Sequence, residues 1–141
     1  MSRAALEALV NRQVDAFNRH DPAALAEQHA PTSVVESPMF ATLRGRKAIE
    51  EAYRTFLTSF PDAEIAIDTI VVEAPRVAIF HKIKATHRGE FYGLPATNKH
   101  IQVPMARLLT TEGGLIAHER RIYDFTGLLV QVGVLRAKPV A

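Results

Sequence analysis

The spacing of the apolar residues changes once along this chain, and the change limits the folds that the chain can adopt. After residue 63, apolar and polar residues alternate over four segments, 64–73, 76–87, 101–111 and 115–125. Before residue 63, apolar residues recur every three or four positions, as in the series Leu6, Val10, Val14 and Phe17. The first pattern is typical of half-buried strands and the second of an amphipathic helix. The sequence therefore predicts helices followed by an antiparallel meander.

Start and stop signals divide the helical part into three helices. Asp21 and Pro22 stand at the start of the second helix as N-cap and first-turn residue, and Pro31 ends it. A short strand is expected in "VVESPMF", and Gly45 precedes the third helix. Helices followed by a meander indicate an α+β domain. We therefore expect three helices packed on the concave face of a curved antiparallel sheet.

The composition excludes several classes of function. The 141 residues are 48% hydrophobic and 23% charged, which indicates one globular domain, residues 1–141. Cysteine is absent, so disulfides and cysteine nucleophiles are excluded. A net charge of +2 without a dense block of Lys and Arg argues against a nucleic-acid partner. No apolar segment has the form of a membrane span or a signal peptide, so a cytoplasmic protein without a membrane partner is expected.

The strand predicted at 76–87 separates its residues into two faces. Because side chains alternate along a strand, His81 and His87 share the apolar face with Val77 and Ile79. That face should pack on the helices, so both histidines are expected to point inward. One inward histidine is ordinarily a hydrogen-bonded core residue, whereas two favour a pocket. They would lie ~20 Å apart, too far to share an ion, and no metal site is expected.

The glycine pair in "TEGGL" predicts the register of the last two strands. A two-residue turn there would place Arg107 opposite Arg120, and Val103 opposite Asp124. Like charges directly opposite each other are unfavourable. If this face is inward, an acidic group of the protein or of a ligand must lie between the arginines. If the face is outward, both arginines are solvated, and the sequence leaves the two alternatives open.

The same meander places His87 and Asp124 at one rim of the sheet. Two strand spacings would separate them by ~10 Å, which is too wide for a hydrogen bond but suits a small molecule held between an acid and a base. The segment "HRGEFYGLPATNKH", residues 87–100, would form a lip above that gap.

Two segments resemble a known family. "HRGEFYGLPATNKHI" resembles the H-x-G-x-F-x-G-(I/L)-P-x-T-x-K stretch of SnoaL-like polyketide cyclases, also called the ester cyclase family. "ERRIYDFTGLLVQVGVL" resembles their closing strand and short helix, and the similarity covers nearly the whole chain. The resemblance implies a cone-shaped α+β barrel, the fold of nuclear transport factor two and ketosteroid isomerase. It also implies a homodimer formed through the outer face of the sheet.

The resemblance further implies a chemistry. The characterised cyclases use no cofactor and close a ring by intramolecular aldol condensation, with a strand carboxylate as acid/base. Asp124 matches that carboxylate by position. From its predicted place at the same rim, His87 would assist as the partner acid or as the donor to a developing enolate. The chain departs from the pattern where Arg120 replaces a frequent tryptophan, where Arg107 replaces a small residue, and where "PATN" replaces "PPTG". Two arginines would suit an acidic ligand better than an uncharged polycyclic one.

Six further residues are expected to bind the ligand: His81, Arg107, Arg120, Met105, Tyr53 and Phe91. Two candidates have structural alternatives, since Asp124 could cap the short helix at "FTGLLVQV" and Tyr53 belongs to the apolar stripe of the third helix. The expected function is cofactor-independent acid/base chemistry, an aldol-type cyclisation or an isomerisation, on a carbonyl or polyketide-like compound. The alternative is a non-catalytic module of the same fold that binds a small molecule or dimerises.

Overall fold

Helices and strands follow one another largely as the change of periodicity predicts. The structure, a computed structural model, describes residues 1–136, so the last part of the predicted domain, 137–141, lies outside the described residues. The elements are α1 (Arg3–Asn18), α2 (Pro22–Glu27), β1 (His29–Glu36), β2 (Leu43–Arg44), α3 (Arg46–Ser59), β3 (Glu64–Glu73), β4 (Arg76–Thr86), β5 (His100–Glu112), β6 (Leu115–Tyr123) and α4 (Phe125–Gln131).

The six strands form one sheet in the order β2-β1-β6-β5-β4-β3. Strands β3 to β6 are the predicted antiparallel meander. The sheet is curved and does not close on itself, and the helices cover its concave side. The predicted α+β fold is therefore confirmed. Strand β1 pairs with β6 in parallel and so extends the sheet on the side away from β3.

Alternation along β4 determines what faces the helices. Its inward residues, Val77, Ile79, His81, Ile83 and Ala85, are all buried, as the sequence predicts. The core has two parts. The first joins the start of α1 to the ends of the central strands through Leu6, Leu9, Val10, Val77, Ile79, Leu109 and Ile116. The second part surrounds α3, and its aromatic side chains form part of the wall of the cavity described below.

The boundary between α2 and β1 differs from the prediction. The helix ends at Glu27 rather than at Pro31, and β1 begins at His29. Pro31 falls where the pairing of β1 with β6 shifts register, between His29 and Val34. A proline at such an irregularity removes no regular ladder hydrogen bond, so the strand can contain it.

The segment 87–100 is a lip fastened to the end of α3. The backbone N–H groups of Arg88 and Gly89 donate to Ser59 O at 3.0 and 3.1 Å, and the Ser59 hydroxyl donates to Glu90 O. A Cβ atom on Gly89 would lie 2.5 Å from Thr58 O. Only glycine therefore allows the lip to approach the helix this closely.

Candidate functional site

A cavity of about 70 Å³ lies between α1, α3 and the inner face of β4, β5 and β6. That volume holds several water molecules or one compact group of a ligand. Most of its wall is apolar. The aromatic side chains in the wall are Phe17, Phe40, Tyr53, Phe56, Phe91, Tyr92 and Tyr123.

Four polar side chains meet at one end of the cavity, and we call this group the polar end. Its members are Gln13, His81, Arg107 and Arg121. Five residues that the sequence predicts around a ligand do line the cavity: His81, Arg107, Met105, Tyr53 and Phe91. Their position agrees with the prediction, and ligand binding by them stays a prediction.

A β-bulge in the last hairpin decides which arginine faces the cavity. Thr111 pairs with Ile116, as the Gly-Gly turn predicts, but Thr110 pairs with His118. One extra residue of β6, Ala117, is therefore unpaired, and every later pair moves by one position. The predicted pairing of Arg107 with Arg120 is wrong, because Arg107 lies opposite Arg121.

Arg120 points away from the cavity. Its side chain is 59% exposed and lies near the carboxylate of Glu36, at 3.9 Å, on the outer face of the sheet. Since a shift of one residue turns every side chain of a strand to the other face, the bulge explains the whole error. The predicted contact of Arg120 with a ligand in the cavity has no support in this geometry.

Asp124 is also outside the cavity wall. Pairing of β5 with β6 ends at Met105 opposite Tyr123, so the predicted position of Asp124 opposite Val103 is wrong. The chain instead turns into α4, where the exposed Asp124 is the N-cap and its carboxylate accepts the Gly127 N–H at 2.8 Å. The structural alternative for Asp124 is the one observed.

His87 is buried in the base of the lip and does not line the cavity. Its Nδ1 is 2.9 Å from the Thr97 hydroxyl, its backbone N–H donates to Lys99 O, and its ring is 5.4 Å from that of Phe60. These contacts hold the two ends of the lip together. The structure therefore does not bring His87 and Asp124 together around a ligand.

Arg107 organises the polar end from β5. Its Nε donates to His81 Nε2 at 2.9 Å, and its Nη1 donates to Gln13 Oε1 at 2.7 Å. Because His81 Nε2 accepts a hydrogen bond, a neutral His81 carries its proton on Nδ1. Burial first, and then the charge of Arg107, lower the pKa of His81 to about 3, so the imidazole is neutral near neutral pH.

Glu119 is the acidic group expected between two facing arginines. Its side chain is completely buried on β6, and its Oε2 accepts a hydrogen bond from Arg121 Nε and lies 3.6 Å from Arg107 Nη1. Burial alone would raise the pKa of Glu119, but the two guanidinium groups outweigh burial and lower it to about 2. Arg121 is held further by Tyr53, whose hydroxyl accepts from Nη2 at 2.9 Å and whose ring centre lies 5.1 Å from the guanidinium carbon.

His29 lies behind Glu119 on β1. Its Nδ1 is 3.0 Å from the Ser33 hydroxyl, and its Nε2 is 3.8 Å from Glu119 Oε1. Burial lowers the pKa of His29 to about 4, although Glu119 acts in the opposite direction. The polar end, Glu119 and His29 together form one buried cluster. Near neutral pH this cluster contains the charges of two guanidinium groups and one carboxylate, a net charge of +1.

The polar end presents hydrogen-bond donors that have no partner. Arg107 Nη2, Gln13 Nε2 and the protonated Nδ1 of His81 are buried and make no hydrogen bond, although buried polar atoms are nearly always paired. Within residues 1–136, no Asp or Glu side chain lines the cavity. Free donors with one net positive charge are complementary to a negatively charged oxygen of a ligand.

Three important residues were missed by sequence reasoning. Gln13 had a signal, since it falls among Val10, Val14 and Phe17 on the predicted apolar stripe of α1, where a polar side chain needs a buried partner. Glu119 and Arg121 had none, because the bulge that turns them inward has no turn residue or change of periodicity to mark it in the sequence.

No group of three or more His, Asp or Glu side chains within 1–136 could hold a metal ion. No helix in the same range is long and apolar enough to cross a membrane.

Comparison with known proteins supports the fold and gives the family. AclR from Streptomyces galilaeus, proposed to be a hydroxylase, is 27% identical, with a TM-score of 0.87 over 98% of this chain and 87% of AclR. TsrD from Streptomyces laurentii is 25% identical, with a TM-score of 0.85 over 96% and 99% of the two chains. IdmH from Streptomyces antibioticus, proposed to be a polyketide cyclase, is 25% identical, with a TM-score of 0.76 over 90% and 97%. No curated protein matches the sequence. Residues 7–132 match the SnoaL-like polyketide cyclases, and the chain belongs to that family.

Proposed function

We propose that the cavity binds a small, largely apolar carbonyl compound and stabilises negative charge on its oxygen at the polar end. The chemistry that this arrangement supports is enolisation, the first step of an aldol-type cyclisation or of an isomerisation. The observation that carries the proposal is that Arg107 Nη2 and Gln13 Nε2 are buried donors without a partner in a cluster of net charge +1.

The walls support an apolar ring system as the body of the ligand. Apart from the polar end, the lining is mostly aromatic and aliphatic. The ring of Phe17 lies edge to face with that of Tyr53 and at a tilt to that of Phe56. Aromatic rings favour the same geometry with a ligand ring. A ligand with its oxygen at Arg107 would therefore have its ring against the aromatic side chains of the wall.

The proposed mechanism differs from the one implied by the resemblance. That mechanism needs a carboxylate at the substrate, but Glu119 is paired with two arginines and Asp124 caps α4. In our proposal the α-carbon of the substrate loses its proton to water, and the electron pair of the C–H bond moves to the oxygen held by Arg107 and Gln13. A single donor to such an oxygen accelerates acyl-transfer enzymes by roughly 10²–10³-fold.

The absence of a strong base among the described lining residues favours a second candidate. His81 is a poor base because its pKa is lowered to about 3, and Arg107 already occupies its Nε2. A cavity with donors and no base is also suited to holding a stable anion without turnover. The second candidate is therefore a non-catalytic module that binds a small organic acid, in an assembly that we propose to be a homodimer.

Isotope exchange separates the two candidates. In D2O, benzoylacetone should exchange its central C–H protons faster in the presence of the protein, as followed by proton NMR, and benzoate should inhibit this exchange competitively. Benzamide, which has the same shape and no charge, should inhibit weakly. Binding of benzoate without any acceleration would favour the binding module. Failure to bind either benzoylacetone or benzoate would refute both.

A further inference from the structure

Glu119 is the only carboxylate among the described residues that contacts the arginines of the polar end. Both guanidinium groups lie against the same oxygen, Oε2. The other oxygen, Oε1, has no hydrogen-bond partner and faces His29 Nε2, which also has none. Glu119 is thus completely buried and is not part of the cavity wall, so its contact with the cavity runs through the arginines.

Arg107 and Arg121 carry two positive charges and Glu119 carries one negative charge, so one positive charge is left uncompensated. A buried charge without a partner is costly, and an arriving anion of one unit would remove that cost. A neutral ligand would leave the cost in place. A ligand with two negative charges would bring the second one close to Glu119 with no cation left to balance it.

We propose that Glu119 is a positioning residue that restricts the cavity to ligands carrying a single negative charge, because it neutralises one of the two arginines that face the ligand and fixes the other. This inference rests on the proposed function, since it assumes that the oxygen of a ligand reaches the polar end. It adds a ligand class: singly charged organic acids, and carbonyl compounds that become singly charged enolates.

Two substitutions change the charge in opposite directions with little change of shape. Glu119→Gln raises the net charge of the cluster to +2. Gln13→Glu lowers it to zero and puts the new carboxylate where Gln13 Oε1 already accepts from Arg107 Nη1, at 2.7 Å. The second variant should fold well because it converts an existing hydrogen bond into an ion pair. The matched control is Glu36→Gln, which removes an exposed carboxylate on the outer face of the sheet.

The test compares three probes near neutral pH by NMR titration: benzamide without charge, benzoate with one charge and phthalate with two. The wild-type chain should bind benzoate best. Glu119→Gln should shift the ratio of affinities toward phthalate by about tenfold or more, and Gln13→Glu should shift it toward benzamide by a similar factor. Glu36→Gln should leave all ratios unchanged.

Ratios separate this inference from a structural effect, since loss of packing would weaken all three probes together. If the wild-type chain binds benzoate but Gln13→Glu keeps the same preference for it over benzamide, the role of Glu119 is refuted and the proposed function stands. If neither benzoate nor benzamide binds the wild-type chain, the proposed function itself is refuted. If Glu119→Gln fails to fold, Gln13→Glu is compared with Gln13→Met, which removes the same Nε2 donor without adding a charge. A shift toward benzamide that is larger in Gln13→Glu than in Gln13→Met supports the charge role, and equal shifts refute it.

Discussion

Replacement of Arg107 by methionine tests the polar end with one change. Methionine fills a similar space without charge, so an acidic ligand would lose its charge-assisted hydrogen bonds to the guanidinium. One such bond contributes about 1.5–3 kcal/mol. At about 1.4 kcal/mol per factor of ten, the dissociation constant for benzoate should rise roughly 10- to 150-fold. The constant for benzamide should change by less than about threefold, since a neutral amide gains little from the charge.

The same substitution should destabilise the fold. A desolvated charge is removed, which by itself would stabilise the chain, but the charge has partners that would be left behind. Gln13 Oε1 and His81 Nε2 would lose the donors that now lie at 2.7 and 2.9 Å, and Glu119 would keep only Arg121. Breaking one side of a buried charged cluster costs about 3–5 kcal/mol. We therefore expect a decrease of that size in the free energy of unfolding, measured with urea.

Arg120→Met is the matched control. It removes the same charge from the neighbouring strand β6, where Arg120 lies on the outer face of the sheet. It should change the stability by less than ~1 kcal/mol, the range for an exposed ion pair, and should leave benzoate binding unchanged. Calorimetric titration gives both dissociation constants for each variant. Equal losses of affinity for benzoate and benzamide in Arg107→Met would refute the assignment of the anion to Arg107, as would a loss of benzoate binding in Arg120→Met.

Three further predictions follow from the environments of single residues. The pKa values of His29 and His81 are lowered to about 4 and about 3, so below about pH 6.5 the unfolded chain binds more protons than the folded chain. As the pH is lowered from about 6 to about 5, the free energy of unfolding measured with urea should therefore fall by at most about 3 kcal/mol per pH unit. A flat profile would contradict the buried neutral state of both histidines. Asp124→Ala should lower the stability by ~1 kcal/mol through loss of the α4 cap. It should leave benzoate binding unchanged in a titration. Loss of binding without loss of stability would show that Asp124 is a site residue after all. Gly89→Ala should lower the melting temperature, at a cost of ~1–3 kcal/mol, because its Cβ would collide with Thr58 O, and an unchanged melting temperature would show that the lip is not fastened there.

Much of the fold was predictable because it depends on periodic patterns. The bounds of β3, Glu64–Glu73, are the predicted ones, and the inward face of β4 follows directly from alternation. Strand β2 and the parallel pairing of β1 were not predicted, since a two-residue strand has no periodicity and a parallel partner is distant in sequence.

The candidate site was less predictable because it depends on one extra residue. The turn at Gly113 and Gly114 predicts the pairs next to it, and the bulge at Ala117 then turns Arg121 inward and Arg120 outward. The expectation of an acidic group between two arginines was physically sound, and Glu119 provides it. Hydrophobic pattern and turn chemistry set the register only as far as the ladder stays regular.

A crystal structure of the complex with benzoate tests the central claim most directly. The claim predicts the carboxylate at the polar end, with its oxygens ~3 Å from Arg107 Nη2 and Gln13 Nε2, which are buried donors that now have no partner. The ring should lie against the aromatic wall of the cavity, and the Glu119 carboxylate should remain paired with Arg121. A benzoate ring at the polar end with its carboxylate directed out toward solvent, or a benzoate bound at Arg120 on the outer face, would contradict the account.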